Sequence, residues 1–224
     1  MTSDSAEPVT LARRLREGTA AVHDRAHGSR FMSALLGGEL PVEDYAALAG
    51  QLWHVYDALE SAGDALADEP AAAPFRREEL RRAPALAADL HHLLGAGWPA
   101  ECTPLPATRT YVAALRTIAA DRWVGGWVAH HYTRYLGDLA GGQVVRALLR
   151  TRYGLVDDGA RFYAFDAIPS VPAFRKQYRA ALDAAPFDEA EQRRVVDEAV
   201  RAFDLNIALL DELDPLTGDD RIPA

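Results

Sequence analysis

Two histidines four residues apart and a helix-like run interrupted by three glycines are the features of this sequence with the clearest chemical potential. His23 and His27 lie in VTLARRLREGTAAVHDRAH (9–27), where Leu11, Leu15, Val22 and Ala26 recur at helical spacing and Pro8 is placed as a helix starter. At that spacing both imidazoles look the same way. The stretch H-D-R-A-H loosely resembles the H-E-x-x-H of zinc proteases, but the general-base position holds the shorter Asp24 and no third ligand is announced downstream. The other five histidines carry weaker signals. His130 and His131 are adjacent, so on a helix they point about 100° apart and cannot both face one ligand. His91 and His92 read as solvated side chains, and His54 has no assigned role.

The glycines fall in RYLGDLAGGQVV (134–145), between flanks with clear helical periodicity. Each glycine inside a helix costs about 1 kcal/mol relative to alanine, so Gly137, Gly141 and Gly142 together give up about 3 kcal/mol of local preference. Gly137 and Gly141 share one helical face and clear it of side chains. One reading is tight helix–helix packing. The other is a flat ligand lying against the backbone of a helix free to kink, with Asp138 as the nearest ionisable group. A single histidine on an apolar helix face, opposite such a wall, can serve as the axial ligand of a haem iron. That pairing explains the histidine and the bare helix with one ligand. The haem propionates would then call for cations at the rim. Arg16 lies two turns before His23 on its face, and Arg175 and Arg179 lie four apart in FRKQYR. Taken alone, those arginines read as a solvated face.

The elements that must position these groups read as helices throughout: 9–27, 30–36, 42–67, 74–94, 108–120, 122–152, 171–184 and 187–212, with a turn at 161–166 and the last dozen residues as a tail. No segment shows convincing two-residue alternation, and the expected fold class is all-α. The chain has 224 residues, 49% hydrophobic and 25% charged, with no linker-like composition shift or internal repeat, which points to a single domain spanning 1–224 with a core over about 10–213. A net charge of −9 argues against general affinity for nucleic acid or anionic membrane. Cys102, the single cysteine, excludes an intrachain disulfide and a cysteine-based metal cluster. With neither a signal pattern at the N-terminus nor a stretch long enough to span a bilayer, the expected location is cytoplasmic.

LREGTAAVHDRAHGSRFM (15–32) and HHYTRYLGDLAGGQV (130–144) resemble the proximal and distal helices of the haem oxygenase family, and QLWHVYDALE (51–60), FRKQYR (174–179) and AFDLNIALLDEL (202–213) add to the likeness. The resemblance implies an all-α, single-domain fold that sandwiches haem b between a proximal helix and a kinked, glycine-rich distal helix. The implied activity is O2- and electron-dependent cleavage of haem to biliverdin, at the α-meso edge, with release of carbon monoxide and ferrous iron. By the same resemblance His23 is the axial iron ligand, and Gly137 and Gly141 line the distal face. Asp138 anchors the water network that activates bound O2, together with Tyr56 and Arg134. Arg16, Tyr132, Arg175 and Arg179 hold the propionates, and Asn206 lies near the pocket.

Two departures stand out. The family's usual glutamate four residues after the proximal histidine is His27 here, which makes His27 a rival ligand and predicts a weaker proximal bond below about pH 6 to 7. The C-terminal membrane anchor of animal members has no counterpart. The chain also has no dinucleotide-binding fingerprint, so its electrons must come from an external reductase or ferredoxin, which the rim arginines would meet. A monomer is expected. Two alternatives stay open on the sequence: a haem carrier or sensor that binds without degrading, and a relative using a non-haem metal or a thiamine-like ligand.

Overall fold

Thr10 opens the first helix, its side chain accepting a hydrogen bond from the Arg13 N–H, and Ser29, Ser170 and Asp188 open later helices in the same way. In the computed structural model, which describes residues 9–214, the helices are α1 (Leu11–Gly18), α2 (Ala20–His27), α3 (Arg30–Gly37), α4 (Val42–Ala65), α5 (Ala83–Leu94), α6 (Trp98–Glu101), α7 (Pro106–Ala120), α8 (Val124–His131), α9 (Gly137–Tyr153), α10 (Val171–Asp183) and α11 (Glu189–Leu213). There is no strand among the described residues, as expected of an all-α chain. Pro8 and nearly all of the expected C-terminal tail lie outside the described residues. Among the described residues no helix is long and apolar enough to cross a membrane.

Three expected helices differ from what forms. The 9–27 helix is broken at Thr19, which ends α1 and begins α2, with its buried hydroxyl donating to Leu15 O at 2.7 Å. Leu11, Leu15, Val22 and Ala26 are nonetheless all buried, so the apolar stripe survives the break. The expected 74–94 helix begins only at Ala83, after a 3-10 turn at Glu78–Leu80. Pro84 explains this, because proline has no N–H to donate and fits only the first turn of a helix. The 122–152 helix is continuous through residue 153 but contains a π turn at Tyr132–Leu136. The irregularity therefore sits immediately before Gly137 rather than at the glycines.

Helix α4 packs between α5 and α7, α11 runs along α7 and α8, and α1 and α2 lie on α11, with α10 beside α1. The expected α4 stripe of Tyr45, Leu48, Leu52, Val55 and Leu59 is buried in a hydrophobic cluster that draws on residues from α1 to α11. Polar side chains stitch this core. Glu60 Oε1 on α4 accepts the Arg82 and Ala83 N–H groups at 2.5 and 3.0 Å, capping α5, and also accepts from the Tyr135 hydroxyl at 3.2 Å. Glu60→Ala removes that cap and strands three donors, and should lower unfolding free energy by about 2 kcal/mol in a urea titration.

His130 and His131, adjacent and diverging as expected, are both core groups. His130 Nε2 meets Glu198 Oε1 at 2.9 Å, whereas His131 Nδ1 meets the Tyr178 hydroxyl at 2.7 Å, its ring stacked 9° from parallel on Tyr178. Burial pushes the His131 pKa down from 6.5 to about 3, so the folded state holds it neutral. The unfolded chain protonates this imidazole first. Stability therefore falls as pH drops from about 6.5 towards 3, by about 1.4 kcal/mol per pH unit from this group. Denaturant titrations at pH 7 and pH 5 should show His131→Phe less stable at neutral pH yet with a shallower acid slope than wild type.

Candidate functional site

Between α1–α2 on one side and the π turn with α9 on the other lies a cavity of about 1010 Å³. That is the upper end of the range for small-molecule pockets. His23, Arg16, Tyr132, Arg134, Gly137, Asp138, Gly141, Arg175, Arg179 and Asn206 all line it. Tyr56 stands behind this wall, fully buried and bonded to Asp138. Every residue that the family resemblance gave a role is thus in the cavity wall or in contact with it.

Helix α2 presents His23 and His27 to the cavity with ring centroids 4.4 Å apart. Phe203 on α11 meets His23 in a T-shaped ring contact with centroids 5.9 Å apart, and His23 Nδ1 lies 3.5 Å from Asp24 Oδ1. Burial, and then the His23 charge, hold the His27 pKa below its ordinary value. Its neutral form therefore persists to lower pH than the expected weakening below pH 6 to 7 assumed. Among the described residues no group of three or more histidine, cysteine or acidic side chains is arranged to hold a metal ion, so the zinc-protease reading of His23 and His27 lacks its third ligand. Cys102 is buried against Gly50, away from the cavity.

Opposite α2, a Cβ added at Gly137 or Gly141 would meet nothing within 4 Å. Those two glycines therefore do not serve helix packing; they expose bare backbone to the cavity. Gly142 is the packing glycine, since its Cβ would come within 2.9 Å of Tyr163 Cδ1. At one end of this face the buried Asp138 accepts a short hydrogen bond from the Tyr56 hydroxyl. Arg134 Nε donates to the same hydroxyl at 3.2 Å, Arg134 Nη1 donates to Asn206 Oδ1 at 2.5 Å, and Nη2 stands 3.9 Å from Asp138 Oδ1. Burial pushes the Asp138 pKa up, with Arg134 and the Tyr56 hydrogen bond opposing it. Deeper in, the Tyr111 hydroxyl and His130 Nδ1 are buried without a protein partner, and burial raises the Tyr111 pKa to about 12.

At the mouth, burial raises the Tyr132 pKa while a Thr19 hydrogen bond and the charges of Arg179, Arg16 and Arg175 pull it back, so one hydroxyl and three guanidinium groups converge there. Arg175 Nε is buried with no hydrogen-bond partner in the protein, a donor prepared for an anion. Sequence reasoning missed the apolar walls: Met32, Leu36, Leu48, Leu52, Val144 and Phe203. Leu36 and Val144 are 37% and 63% exposed. In the sequence they are indistinguishable from core positions.

A large cavity, a histidine on one wall, bare backbone on the other and anion-seeking arginines among the lining fit a porphyrin carrying carboxylates. Comparison with known proteins agrees. The family model described as Heme oxygenase matches residues 9–212. The heme oxygenase of Pyropia yezoensis is 39% identical over 205 residues, covering 91% of this chain and 86% of that protein. The structure of heme oxygenase-1 from the cyanobacterium Synechocystis sp. PCC6803 in complex with heme superposes with a TM-score of 0.87 at 37% identity, over 92% of this chain and 93% of that one. Heme oxygenase-2 of the same organism, in complex with heme and NO, gives 0.89 at 36% identity, over 93% and 87%. The chain belongs to the heme oxygenase family, enzymes that degrade haem.

The glycines can be told apart by stability. With open space at its Cβ, Gly141→Ala should stabilise the ligand-free protein by up to about 1 kcal/mol through helix propensity. Gly142→Ala, forced against Tyr163, should destabilise it by about 1–3 kcal/mol, and thermal unfolding of both variants checks the pair.

Proposed function

We propose that this chain binds haem b between α2 and α9 with His23 as the axial iron ligand, and cleaves it to biliverdin, carbon monoxide and ferrous iron. The observation that carries the residue roles is the bare Gly137–Gly141 backbone across the cavity from His23, with the buried carboxyl of Asp138 beside it. Bound haem is both the substrate and the centre whose iron activates O2.

The chain's own residues have four tasks in this reading. His23 holds the iron through a neutral imidazole, with Phe203 packed against its ring and Asp24 near Nδ1. Gly137 and Gly141 keep side chains off the distal face, which leaves room for a small ligand to lean towards one edge of the ring, assigned here to the α-meso edge. Asp138 moves a proton through water. Tyr56 holds its Oδ2, Arg134 and Asn206 fix the frame, and the raised proton affinity suits an acid that must be reloaded each cycle. Arg16, Tyr132, Arg175 and Arg179 receive the propionates and set the orientation of the ring.

Electrons come from an external reductase or ferredoxin, an acidic partner of which would meet the arginines at the mouth. The chain works as a single-domain monomer in the cytoplasm.

Hemin titration followed by addition of an electron donor in air tests the assignment. The wild type should form a stoichiometric Soret band that decays to α-biliverdin with carbon monoxide release. His23→Ala should lose the normal band. Asp138→Ala should keep it while biliverdin formation drops by about 10²-fold. A wild-type band that persists under reduction in air would make the chain a carrier, and full turnover by Asp138→Ala would remove that residue from the mechanism.

A further inference from the structure

His27 has no task in the reaction above, yet it stands beside the one residue that must hold iron. We propose that His23 and His27 together form a two-imidazole site for a divalent first-row transition ion, available whenever haem is absent from the cavity. Both side chains lie on α2 one turn apart, both face the cavity, and their ring centroids are 4.4 Å apart with the planes inclined by 51°. Two imidazoles bound to one ion, with metal–nitrogen bonds of about 2.0–2.1 Å and about 1.1 Å from nitrogen to ring centre, have centroids about 4.5 Å apart at a right angle and about 5.2 Å apart at a tetrahedral angle. The observed separation is short enough for both rings to reach one ion.

The surroundings suit a cation. Asp24 also lines the cavity, and its Oδ1 lies 3.5 Å from His23 Nδ1, an acceptor that favours a proton on Nδ1 and leaves Nε2 for the ion. No third protein ligand is arranged around the pair among the described residues, so water fills the remaining positions and the site is an open one. An ion can arrive and leave through the cavity mouth.

Because His23 cannot serve two metals, haem and a free divalent ion exclude one another. Ferrous iron set free by haem cleavage belongs to this class of ion, a link that rests on the function proposed above. His27 would then give the departing ion a second imidazole at the moment the tetrapyrrole ring lets go.

The test is calorimetric titration of the ligand-free, full-length protein with Zn2+, which needs neither turnover nor an electron donor. Wild type should bind one zinc per chain. His27→Gln and His23→Gln, with unchanged far-ultraviolet circular dichroism, should each bind it about tenfold or more weakly, as expected when a preorganised second ligand is lost. Wild-type protein loaded with hemin should no longer take up that zinc. Zinc binding by His27→Gln equal to wild type would place the ion elsewhere, for instance at His91 and His92, and overturn the proposal. Undiminished uptake by the hemin-loaded protein, or no uptake by the wild type, would overturn it as well. If hemin itself fails to bind, the functional reading falls, while the zinc titration of the three ligand-free proteins still decides the histidine pair.

Discussion

A helix that must show bare backbone to a cavity has to be held in place by everything except that face. Gly137 and Gly141 contribute nothing to the core and weaken the local helix by about 2 kcal/mol relative to alanine. What compensates is the other side of α9. Leu139 and Leu149 are buried there, and Gly142 lets Tyr163 close against the backbone. The π turn just ahead of Gly137 shifts the phase of the helix between its two halves. Tyr132 lines the cavity, while His130 and His131, two and one residues earlier, remain in the core.

The second constraint is the cost of burying Asp138. A carboxyl removed from water needs partners, and this one takes them from three elements: Tyr56 on α4, Arg134 on the π turn and, through Arg134, Asn206 on α11. Arg134 is too far from Asp138 for a close ion pair, at 3.9 Å, and it spends its shorter contacts on Tyr56 and Asn206. The carboxyl is therefore stabilised enough to stay buried without being locked in its ionised form. That balance separates a structural salt bridge from a group able to exchange a proton.

The α2 wall of the cavity follows a different logic. Here Phe203 and Asp24 constrain His23, while His27 fills the place one turn on with a second imidazole rather than an acceptor of fixed charge.

Much of the site is readable in the sequence because helical periodicity is a local property. Residues four apart share a face, so helical spacing alone pairs His23 with His27, Gly137 with Gly141 and Arg175 with Arg179, and all six line one cavity. The apolar stripes of α2 and α4 are legible for the same reason. Local rules mislead where one residue outweighs the pattern, as Pro84 does at the start of α5. Which cavity-wall residues are buried and which stay exposed is not legible, since Val144 and Val145 are neighbours of one type, both on the wall, one 63% exposed and the other 7%. Nor is the bond between Tyr56 and Asp138, 82 positions apart. The sequence alone determined helix content, the facing pairs and the identities of the reactive groups. Only the tertiary structure decided which faces meet, which carboxyl loses its water and which glycines stay bare, because those depend on packing between segments distant in the chain.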